Sequence, residues 1–325
     1  MKPTVIILAA GLGTRMRSGM PKVLHQLAGR PMVLHILDTA AAIGTARTIL
    51  VLGHQAELVR NAVAGYDVEI VIQAEQLGTG HAVLHAADAI GTAKGPVMVL
   101  CADTPLLTSD TLRAMIGAHA RKRAAVTLMT AMMDNPSGYG RVLRGRSGVM
   151  RIVEEKDASA AQKKIREVNT GIYCFEGKFL LGALRGITNR NAQNEYYLPD
   201  TIALARKKRF KVEAILCEDA EQTMGINSRV DLSRAERAIQ VRTNTRWMRD
   251  GVTMLDPASV FISDGASIGR DTVLYPNVRV EGTTTLGEGC TVYPGSRIVD
   301  SILGNRVAIK DGCLIEQARS EDMAA

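Results

Sequence analysis

The sequence is poor in aromatic residues, and this argues against a nucleic-acid-binding protein. Phenylalanine, tryptophan and tyrosine make up 4% of the 325 residues, with a single tryptophan, whereas proteins that hold single strands stack bases on aromatic side chains. The formal net charge is +7, but the basic runs 121–123 and 206–209 each follow a helical pattern, where the helix dipole favours cations. We therefore expect no nucleic-acid partner, and a basic surface suited to small phosphorylated substrates.

Long apolar runs and paired cysteines are also absent from the sequence. No stretch reaches the roughly 18 apolar residues that a membrane helix needs, and basic residues, not a cleavage site, follow the short apolar run Val5–Ala10. The five cysteines are scattered, without a Cys-x-x-Cys pair, which favours reduced thiols over a disulfide framework or a cysteine metal site. These absences predict a cytoplasmic protein with no membrane span.

The composition is that of a globular chain, 46% hydrophobic and 22% charged, and residues 1–227 alternate between strand and helix patterns. The predicted strands are Val5–Ala10, Thr48–Leu52, Glu69–Gln73 and Val97–Cys101. The predicted helices between them are Pro31–Ile43, Glu57–Ala64, Gly80–Ala89 and Ser109–Ala120. Such alternation is typical of α/β domains with a mostly parallel sheet covered on both faces, whose ligands bind at the carboxyl ends of the strands.

The pattern changes twice after residue 227. Residues 228–250 indicate one charged helix that connects two domains and is ended by Gly251. Farther on, hydrophobic residues recur every six positions and resume after one five-residue step, at Ile262, Ile268, Leu274, Val280, Leu286, Val292 and Ile298 and then at Leu303, Ile309 and Ile315. A hexapeptide repeat is typical of a parallel β-helix, and these ten hexads predict about three coils in residues 251–325.

The most informative motif is Leu8-Ala-Ala-Gly-Leu-Gly-Thr-Arg-Met16, followed by Pro21-Lys22, directly after the first predicted strand. Its two glycines let the backbone approach a ligand and turn its N–H groups inward, as in an anion-binding nest. Arg15 and Lys22 add fixed positive charge, which a triphosphate requires. Met16 stands where a dinucleotide fingerprint has its third glycine, and the residue order of a P-loop is absent. A plain glycine-rich turn is the structural alternative.

Two other segments carry chemistry at predicted strand ends. Asp103 follows the apolar strand Val97–Cys101, where a carboxylate suits Mg²⁺, which binds oxygen ligands and substrate phosphates; a helix cap or turn is the alternative role. The segment Gln73–His81 offers a side-chain amide and glycines, which suit a pyrimidine edge; a turn before a helix is its alternative. His81 and His85 share a helical face, but without a third ligand we predict no metal there.

The glycine-rich motif resembles the signature of sugar nucleotidyltransferases. The chain is more specifically similar to the family of bifunctional bacterial enzymes with N-acetylglucosamine-1-phosphate uridyltransferase and glucosamine-1-phosphate acetyltransferase activities. The resemblance extends over nearly all of residues 1–320, through the blocks Gln73–His81, Asp103–Leu106, Gly138–Arg141, Ile152–Asp157, Val168–Gly171, Asn194–Leu198 and Gly225–Asn227. It implies a Rossmann-like nucleotidyltransferase domain followed by a left-handed parallel β-helix that assembles homotrimers.

The resemblance also implies a reaction: with Mg²⁺, UMP is transferred from UTP to N-acetylglucosamine 1-phosphate. The products are pyrophosphate and UDP-N-acetylglucosamine, a precursor of peptidoglycan and other cell-envelope polymers. The metal ligands would be Asp103 and Asn227, and Arg15, Lys22 and Asp103 would be catalytic. Tyr197 is a candidate wall of the sugar pocket, or else a buried core residue. The implied substrate-binding residues are Leu8, Ala9, Ala10, Gly11, Gly13, Thr14, Lys22, Gln73, Gly78, Thr79, Cys101, Ala102, Asp103, Gly140, Glu154, Asn169 and Asn227.

The sequence departs from this family near its C-terminal end. The hexads stop after Ile315, whereas the family's β-helix continues to an acetyl-coenzyme A site. We therefore expect a truncated chain with uridyltransferase activity and no acetyl transfer. Two other functions stay open: a nucleotidyltransferase for another sugar 1-phosphate or nucleotide, and a module that binds a nucleotide sugar without turnover.

Overall fold

The computed structural model of the protein describes residues 2–322, so the last three residues of the predicted β-helix segment 251–325 lie outside the described residues. Within that range the chain divides into two compact units. The first comprises the residues up to His25 together with Pro31–Arg229, and the second comprises Gln26–Arg30 together with the residues from Val230. Residues 26–30 thus belong with the second unit, although they lie within the predicted first domain.

A mixed β-sheet forms the centre of the first unit. The strands up to residue 216 are β1 (Thr4–Ala9), β2 (Gln26–Leu27), β3 (Arg30–Pro31), β4 (Arg47–Leu52), β5 (Glu69–Ile72), β6 (Val97–Cys101), β7 (Val126–Met132), β8 (Gly140–Gly145), β9 (Gly148–Val153), β10 (Glu167–Phe175) and β11 (Val212–Leu216). Among the described residues, nine of them form one sheet in the order β11-β7-β10-β6-β1-β4-β5, with β8 on β10 and β9 on β8, while β2 pairs with β3.

Six strands of this sheet (β1, β4, β5, β6, β7 and β11) run in one direction, and β10 runs against its neighbours. The predicted α/β class with a mostly parallel sheet is therefore confirmed. The arrangement brings the carboxyl ends of the six parallel strands and the amino end of β10 to the same edge. The loops at this edge are the ones that the sequence analysis selected for chemistry.

Both faces of the sheet are apolar, because successive residues of a strand point to opposite faces. In β1, Ile6 belongs to one buried cluster, and Val5 and Ile7 belong to the other. The helices that cover the two faces are α1 (Met32–Ala42), α2 (Ala56–Ala62), α3 (Thr79–His85), α4 (Ala87–Gly91), α5 (Ser109–Lys122), α7 (Gly177–Leu184) and α8 (Asp200–Lys207). The short helix α6 (Ala160–Lys163) has no buried residue. Short 3-10 helices lie at Thr14–Met16, Lys22–Leu24 and Ala220–Thr223.

One predicted helix is interrupted in the structure. The sequence pattern predicts a single helix over Gly80–Ala89, but α3 and α4 are separated at Ala86, whose φ of −91° and ψ of 10° depart from the α-helical range. Val83 and Ile90, one on each side of the break, still pack into the same buried cluster. Hydrophobic periodicity does not detect a break that leaves the apolar residues on one side.

The second unit contains a long helix, α9 (Arg229–Arg249), from Val230 onward. It also contains a stack of short strands. These are β12 (Thr253–Met254), β13 (Phe261–Ile262), β14 (Ser267–Ile268), β15 (Val273–Leu274), β16 (Arg279–Glu281), β17 (Thr285–Leu286), β18 (Thr291–Val292), β19 (Arg297–Val299), β20 (Ile302–Leu303), β21 (Ala308–Ile309), β22 (Leu314–Glu316) and β23 (Arg319–Ser320). They form three parallel sheets, β12-β15-β18-β21, β13-β16-β19-β22 and β14-β17-β20-β23. The hexad residues from Ile262 to Ile309 are all buried, which confirms the predicted parallel β-helix.

The β-helix has more strands than the hexads predict. Each of its three sheets has four strands in the described part of the chain, and the ten hexads account for all of these strands except two. The additional strands are β12 and β23, which lie before Ile262 and after Ile315 and therefore carry no residue of the repeat. The five-residue step shortens a coil by one residue: Val280 pairs with Ile298, and Ile298 pairs with Ile315.

None of the helices among residues 2–322 is both long and apolar enough to cross a membrane.

Candidate active site

A cavity of about 510 Å³ lies at the carboxyl ends of β1, β5 and β6. Parallel strands bring the loops that follow them to one edge of a sheet, so segments that are distant in sequence meet there. The predicted site residues that line the cavity are Leu8, Ala9, Ala10, Gly11, Gly13, Thr14, Arg15, Lys22, Gln73, Gly78, Thr79, Cys101, Asp103 and Asn227. The predicted residues outside this lining are Ala102, Gly140, Glu154 and Asn169.

The signature loop connects β1 to the 3-10 helix at Thr14–Met16. Met16 is buried, and its N–H donates to the carbonyl of Gly13 at 2.9 Å, which anchors the loop while Arg15 stays exposed. Gly13 has a φ of +62°, a left-handed conformation that favours glycine. A Cβ atom at Gly13 would lie 2.7 Å from the Cβ of Lys22. Gly13 therefore permits both the turn and the close passage of Lys22.

Three polar side chains from separate parts of the chain meet in the cavity. The Nζ of Lys22 lies 2.5 Å from Oδ2 of Asp103 and 3.1 Å from Oδ1 of Asn227. The N–H of Ile226 donates to the carbonyl of Asp103 at 2.8 Å. This bond joins the segment that carries Asp103 to the segment that carries Asn227. The amide nitrogen of Asn227 donates to the carbonyl of Gly225 at 3.3 Å. Its Oδ1 is thereby turned toward the cation.

This donor set fits a hard divalent cation. Carboxylate and amide oxygens are ligands that Mg²⁺ accepts, and the oxygens of Asp103 and Asn227 both face one point, where the ammonium of Lys22 already stands as a cation. Within residues 2–322, no three His, Cys, Asp or Glu side chains are grouped to hold a metal. Further ligands would therefore come from substrate and water. The rings of His81 and His85 pack edge to face, with centroids 4.6 Å apart.

The segment after β5 presents Gln73, Gly78 and Thr79 to the cavity. Gln73 is buried, and its amide nitrogen donates to the carbonyl of Gly78 at 3.3 Å. Gly78 has a φ of +102°, and a Cβ atom there would lie 2.8 Å from the carbonyl oxygen of Tyr196. The N–H of Leu198 donates to the hydroxyl oxygen of Thr79 at 3.1 Å. This part of the cavity is therefore fixed in place before any ligand binds.

The predicted sugar-pocket residues form a group beside the cavity. Gly140 pairs with Asn169 between β8 and β10, and a Cβ atom at Gly140 would lie 2.9 Å from Oε1 of Glu154. The Oδ1 of Asn169 accepts from the N–H of Gly171 at 3.2 Å. A Cβ atom at Gly171 would lie 3.1 Å from the sulfur of Cys101, which lines the cavity. The structure thus brings Gly140, Glu154 and Asn169 together, adjoining the cavity at Cys101.

Acidic side chains surround Glu154. Burial, together with the neighbouring carboxylates of Asp200, Asp157 and Glu195, raises the pKa of Glu154 to about 7. A carboxyl group that binds a proton near neutral pH can donate a hydrogen bond as well as accept one. Tyr197 is buried and lies outside the cavity lining, and its hydroxyl donates to Asp157 at 3.2 Å.

The remaining predicted positions have backbone or packing contacts. The N–H of Ala102 donates to the carbonyl of Leu8 at 3.0 Å, and its side chain is buried in the cluster on one face of the sheet. Ala102 thus aligns β6 with β1 from outside the cavity. Burial raises the pKa of the Cys101 thiol to about 12, so this thiol is neutral at physiological pH.

The sequence reasoning missed five residues that line the cavity: Leu12, Val23, Gln76, Ala82 and Glu195. The amide nitrogen of Gln76 donates to the carbonyl of Gln73 at 3.2 Å. Both Gln76 and Glu195 are polar, and each lies within a block that carries the family resemblance, Gln73–His81 and Asn194–Leu198. That position is the signal by which they could have been found.

A family model supports this interpretation of the site. The model of the MobA-like NTP transferase domain matches residues 5–167, about half of the chain, and the match includes the signature loop, the segment Gln73–Thr79 and Asp103. The mixed sheet, the cavity at its carboxyl edge and this match together define the class of the protein, which is a nucleotidyltransferase.

Individual relatives narrow the class to one family. The bifunctional protein GlmU of Halalkalibacterium halodurans is 47% identical over 306 residues, which cover 94% of this chain and 67% of that protein. The bifunctional protein GlmU of Heliobacterium modesticaldum is 47% identical over 324 residues, which cover 99% and 70%. The chain belongs to the GlmU family, and it spans about two thirds of the length of these relatives.

A solved structure shows the same fold. The crystal structure of UDP-glucose pyrophosphorylase complexed with UDP-glucose covers 74% of this chain and 100% of its own, with a TM-score of 0.61 and 17% sequence identity. At this identity the likeness concerns the fold alone.

Proposed function

We propose that this chain is a metal-dependent uridyltransferase that transfers UMP from UTP to N-acetylglucosamine 1-phosphate, giving UDP-N-acetylglucosamine and pyrophosphate. Membership of the GlmU family supports a nucleotide and a sugar phosphate as substrates. The observation that carries the proposal is the meeting of Lys22, Asp103 and Asn227 in a cavity lined by the signature loop. Joining two phosphates requires positive charge at this kind of position, because like-charged reactants repel each other.

The proposed mechanism depends on position and charge. Asp103 and Asn227 would hold a Mg²⁺ ion, and the chemistry that the ion would supply is positive charge against the repulsion between the two phosphate groups. Lys22 and Arg15 stabilise the charge that develops on the leaving pyrophosphate, and the N–H groups of the signature loop add fixed dipoles. The oxygen of the sugar phosphate is already ionised and attacks the α-phosphorus directly, so that no side chain needs to act as the nucleophile.

The proposed specificity is divided between two groups of residues. Gln73, Gly78 and Thr79 bind the uracil and its ribose, since the amide of Gln73 is held in place by its bond to Gly78 and glycine permits close approach to the backbone. Glu154 and Asn169, with Gly140, hold the hydroxyl and acetamido groups of the sugar, because their side chains combine hydrogen-bond donors and acceptors. UDP-N-acetylglucosamine would then serve cell-envelope synthesis.

Release of pyrophosphate from UTP and Mg²⁺ tests the proposed function. We compare N-acetylglucosamine 1-phosphate with glucose 1-phosphate, and use Asp103→Asn as the control for background hydrolysis. Fast release with the acetamido sugar only is the expected result. Preference for glucose 1-phosphate would move the protein to another sugar specificity. A folded sample that binds UTP and releases no pyrophosphate with either sugar would contradict the catalytic function and support a binding module.

A homotrimer assembled through the β-helix is also part of the proposal. Ile302 in β20 and Leu314 in β22 are 47% and 62% exposed on the outer surface of the β-helix. Large apolar side chains on a regular surface favour contact with another protein surface, because their burial releases water. The oligomeric state of the chain in solution tests this assignment.

A further inference from the structure

The pair of predicted metal ligands is already neutralised in the protein. The ammonium of Lys22 contacts the carboxylate of Asp103 at 2.5 Å and the amide oxygen of Asn227 at 3.1 Å. Both oxygens are therefore used by one cation that belongs to the chain itself. A divalent cation at this point would lie within a few ångströms of the ammonium, and the two positive charges would repel each other strongly in a partly buried cavity.

The local structure fixes the backbone of Lys22, and its side chain, which is 12% exposed, extends into the cavity. The backbone of Lys22 is fixed in a 3-10 helix after Pro21, with Gly13 packed directly behind its Cβ atom. The ammonium, by contrast, stands at the end of a flexible four-carbon stem, and its hydrogen-bond partners are Asp103 and Asn227. A stronger anion within reach of the signature loop can therefore draw the ammonium away.

We propose that Lys22 is a built-in competitor of the metal: in the nucleotide-free protein its ammonium occupies the divalent-cation position and excludes free cations from it. The inference rests on the proposed metal-dependent function. A triphosphate in the cavity supplies anionic oxygens that attract Lys22, which leaves Asp103 and Asn227. The cation position becomes available only then, and the phosphates complete its set of oxygen ligands. Nucleotide and metal consequently enter together, and Lys22 moves from the metal ligands to the phosphates in the same step.

The charges at the site support this order. Of the two predicted metal ligands, Asp103 is a carboxylate and Asn227 is an amide. In the described residues, no three His, Cys, Asp or Glu side chains are grouped so that they could hold a metal. One carboxylate and one amide oxygen bind a divalent cation weakly in water, since Mg²⁺ releases its own water ligands reluctantly. The ammonium adds a competing positive charge, which makes the nucleotide-free site weaker still.

Titration with Mn²⁺ tests the proposal without turnover. Electron paramagnetic resonance measures free Mn²⁺ in the absence of nucleotide for the wild type, Lys22→Met and the matched control Lys164→Met, which changes an exposed lysine far along the sequence. Lys22→Met keeps the length and packing of the stem. We expect it to bind Mn²⁺ about tenfold more tightly than the wild type, and Lys164→Met to match the wild type. Adding Asp103→Asn to Lys22→Met should abolish the gain.

UTP provides the second arm of the test. With UTP present and no sugar phosphate, the wild type should bind Mn²⁺ at one site, and Lys22→Met should lose most of its advantage, because the ammonium no longer competes. Equal Mn²⁺ affinity of wild type and Lys22→Met without nucleotide, whether tight or weak, would overturn the proposal. Lys22→Gln and thermal unfolding of each variant guard against a folding defect.

The same samples separate this inference from the proposed function. If the wild type shows the tenfold difference from Lys22→Met but releases no pyrophosphate with any sugar 1-phosphate, then the proposed reaction fails and the competition stands. If it releases pyrophosphate and the two proteins bind Mn²⁺ equally, then the reaction stands and the competition is overturned.

Discussion

At the scale of single residues, the burial of Glu154 makes the free energy of unfolding depend on pH. Its pKa is raised to about 7, so between about pH 4.5 and 7 the folded protein holds a proton that the unfolded chain has released. The folded state is therefore destabilised progressively as the pH rises through this window. Removing the charge by Glu154→Gln should increase the free energy of unfolding at pH 8 by about 2 kcal/mol, less than full burial would give because the side chain keeps some solvent contact.

Urea unfolding at pH 5 and pH 8 measures this effect. The gain from Glu154→Gln should be small at pH 5 and large at pH 8. Glu57→Gln is a suitable control, because the Glu57 side chain is 76% exposed and its charge costs little. A gain of the same size at both values of pH would show that packing, and not ionisation, is responsible.

The catalytic assignment rests on the cation and carboxylate at the centre of the cavity. Lys22→Ala removes the charge proposed to stabilise the leaving pyrophosphate, and Asp103→Ala removes a metal ligand. Either change should lower kcat for pyrophosphate release about a hundredfold or more, with little effect on the melting temperature, since both side chains lie at a cavity surface. The exposed control Lys164→Ala should keep the wild-type rate. Near-normal rates in the Lys22 or Asp103 variant would refute the assigned roles.

The sequence predicted the positions of these residues better than their contacts. The local pattern is sufficient to predict Asp103 at the end of β6, because an apolar run rich in β-branched residues followed by a carboxylate extends over fewer than about ten residues. The contact of Lys22 with Asp103 joins residues 81 apart, and the contact with Asn227 joins residues 205 apart. Such pairs depend on strand order, which β10 sets by running between β6 and β7, and no local signal specifies that order.

At the scale of the element, the glycines of the β-helix pack against the next coil. A Cβ atom at Gly269 would lie 2.5 Å from the carbonyl carbon of Gly287, and one at Gly287 would lie 2.6 Å from that of Gly304. The backbone atoms of the next coil cannot shift without disturbing the hydrogen bonds between the paired strands. Gly287→Ala should therefore destabilise the second unit by about 1–3 kcal/mol through overpacking.

Thermal unfolding followed by circular dichroism measures the effect of this substitution. The matched control is Gly182→Ala, in α7, where a Cβ atom would meet nothing within 4 Å. Alanine is the better helix former, so that control should be neutral or slightly stabilising. An unchanged transition in Gly287→Ala would mean that the coils can separate enough to admit a methyl group.

The elements show why repeats are predicted well and their limits are not. Hexad residues such as Leu274 and Val280 are buried because each faces the interior of a coil, and this regularity is visible in the sequence. The outer strands β12 and β23 form because the neighbouring coil offers an unpaired edge, as β20 does for β23. In β12 the inward-facing Met254 stands outside the six-residue spacing that begins at Ile262, and both residues of β23 are exposed, so neither strand shows the repeat in its side chains.

At the scale of the whole molecule, the division of the chain into units is not linear. Residues Gln26–Arg30 belong with the second unit although they interrupt the first. Within that second unit, the N–H of Ala28 donates to the carboxylate of Glu236 at 2.9 Å, and Arg30 pairs with Asp264 at 2.5 Å. The sequence pattern places this short segment in the first domain, together with its neighbours along the chain. Its assignment to the second unit depends on contacts between residues that are far apart in sequence.

The proposed homotrimer depends on the outer surface of the β-helix and can be tested there. Sedimentation equilibrium should give a mass of about three times the 35.0 kDa of one chain. Replacing the exposed Ile302 and Leu314 together by glutamate should reduce that mass to one chain, because a buried interface cannot accommodate unpaired charges. Leu58→Glu, at a residue 50% exposed in α2 of the first unit, should leave the mass unchanged. A wild-type protein that sediments as a single chain would refute the trimer, while pyrophosphate release from that single chain would show that the cavity of the first unit is sufficient for the reaction.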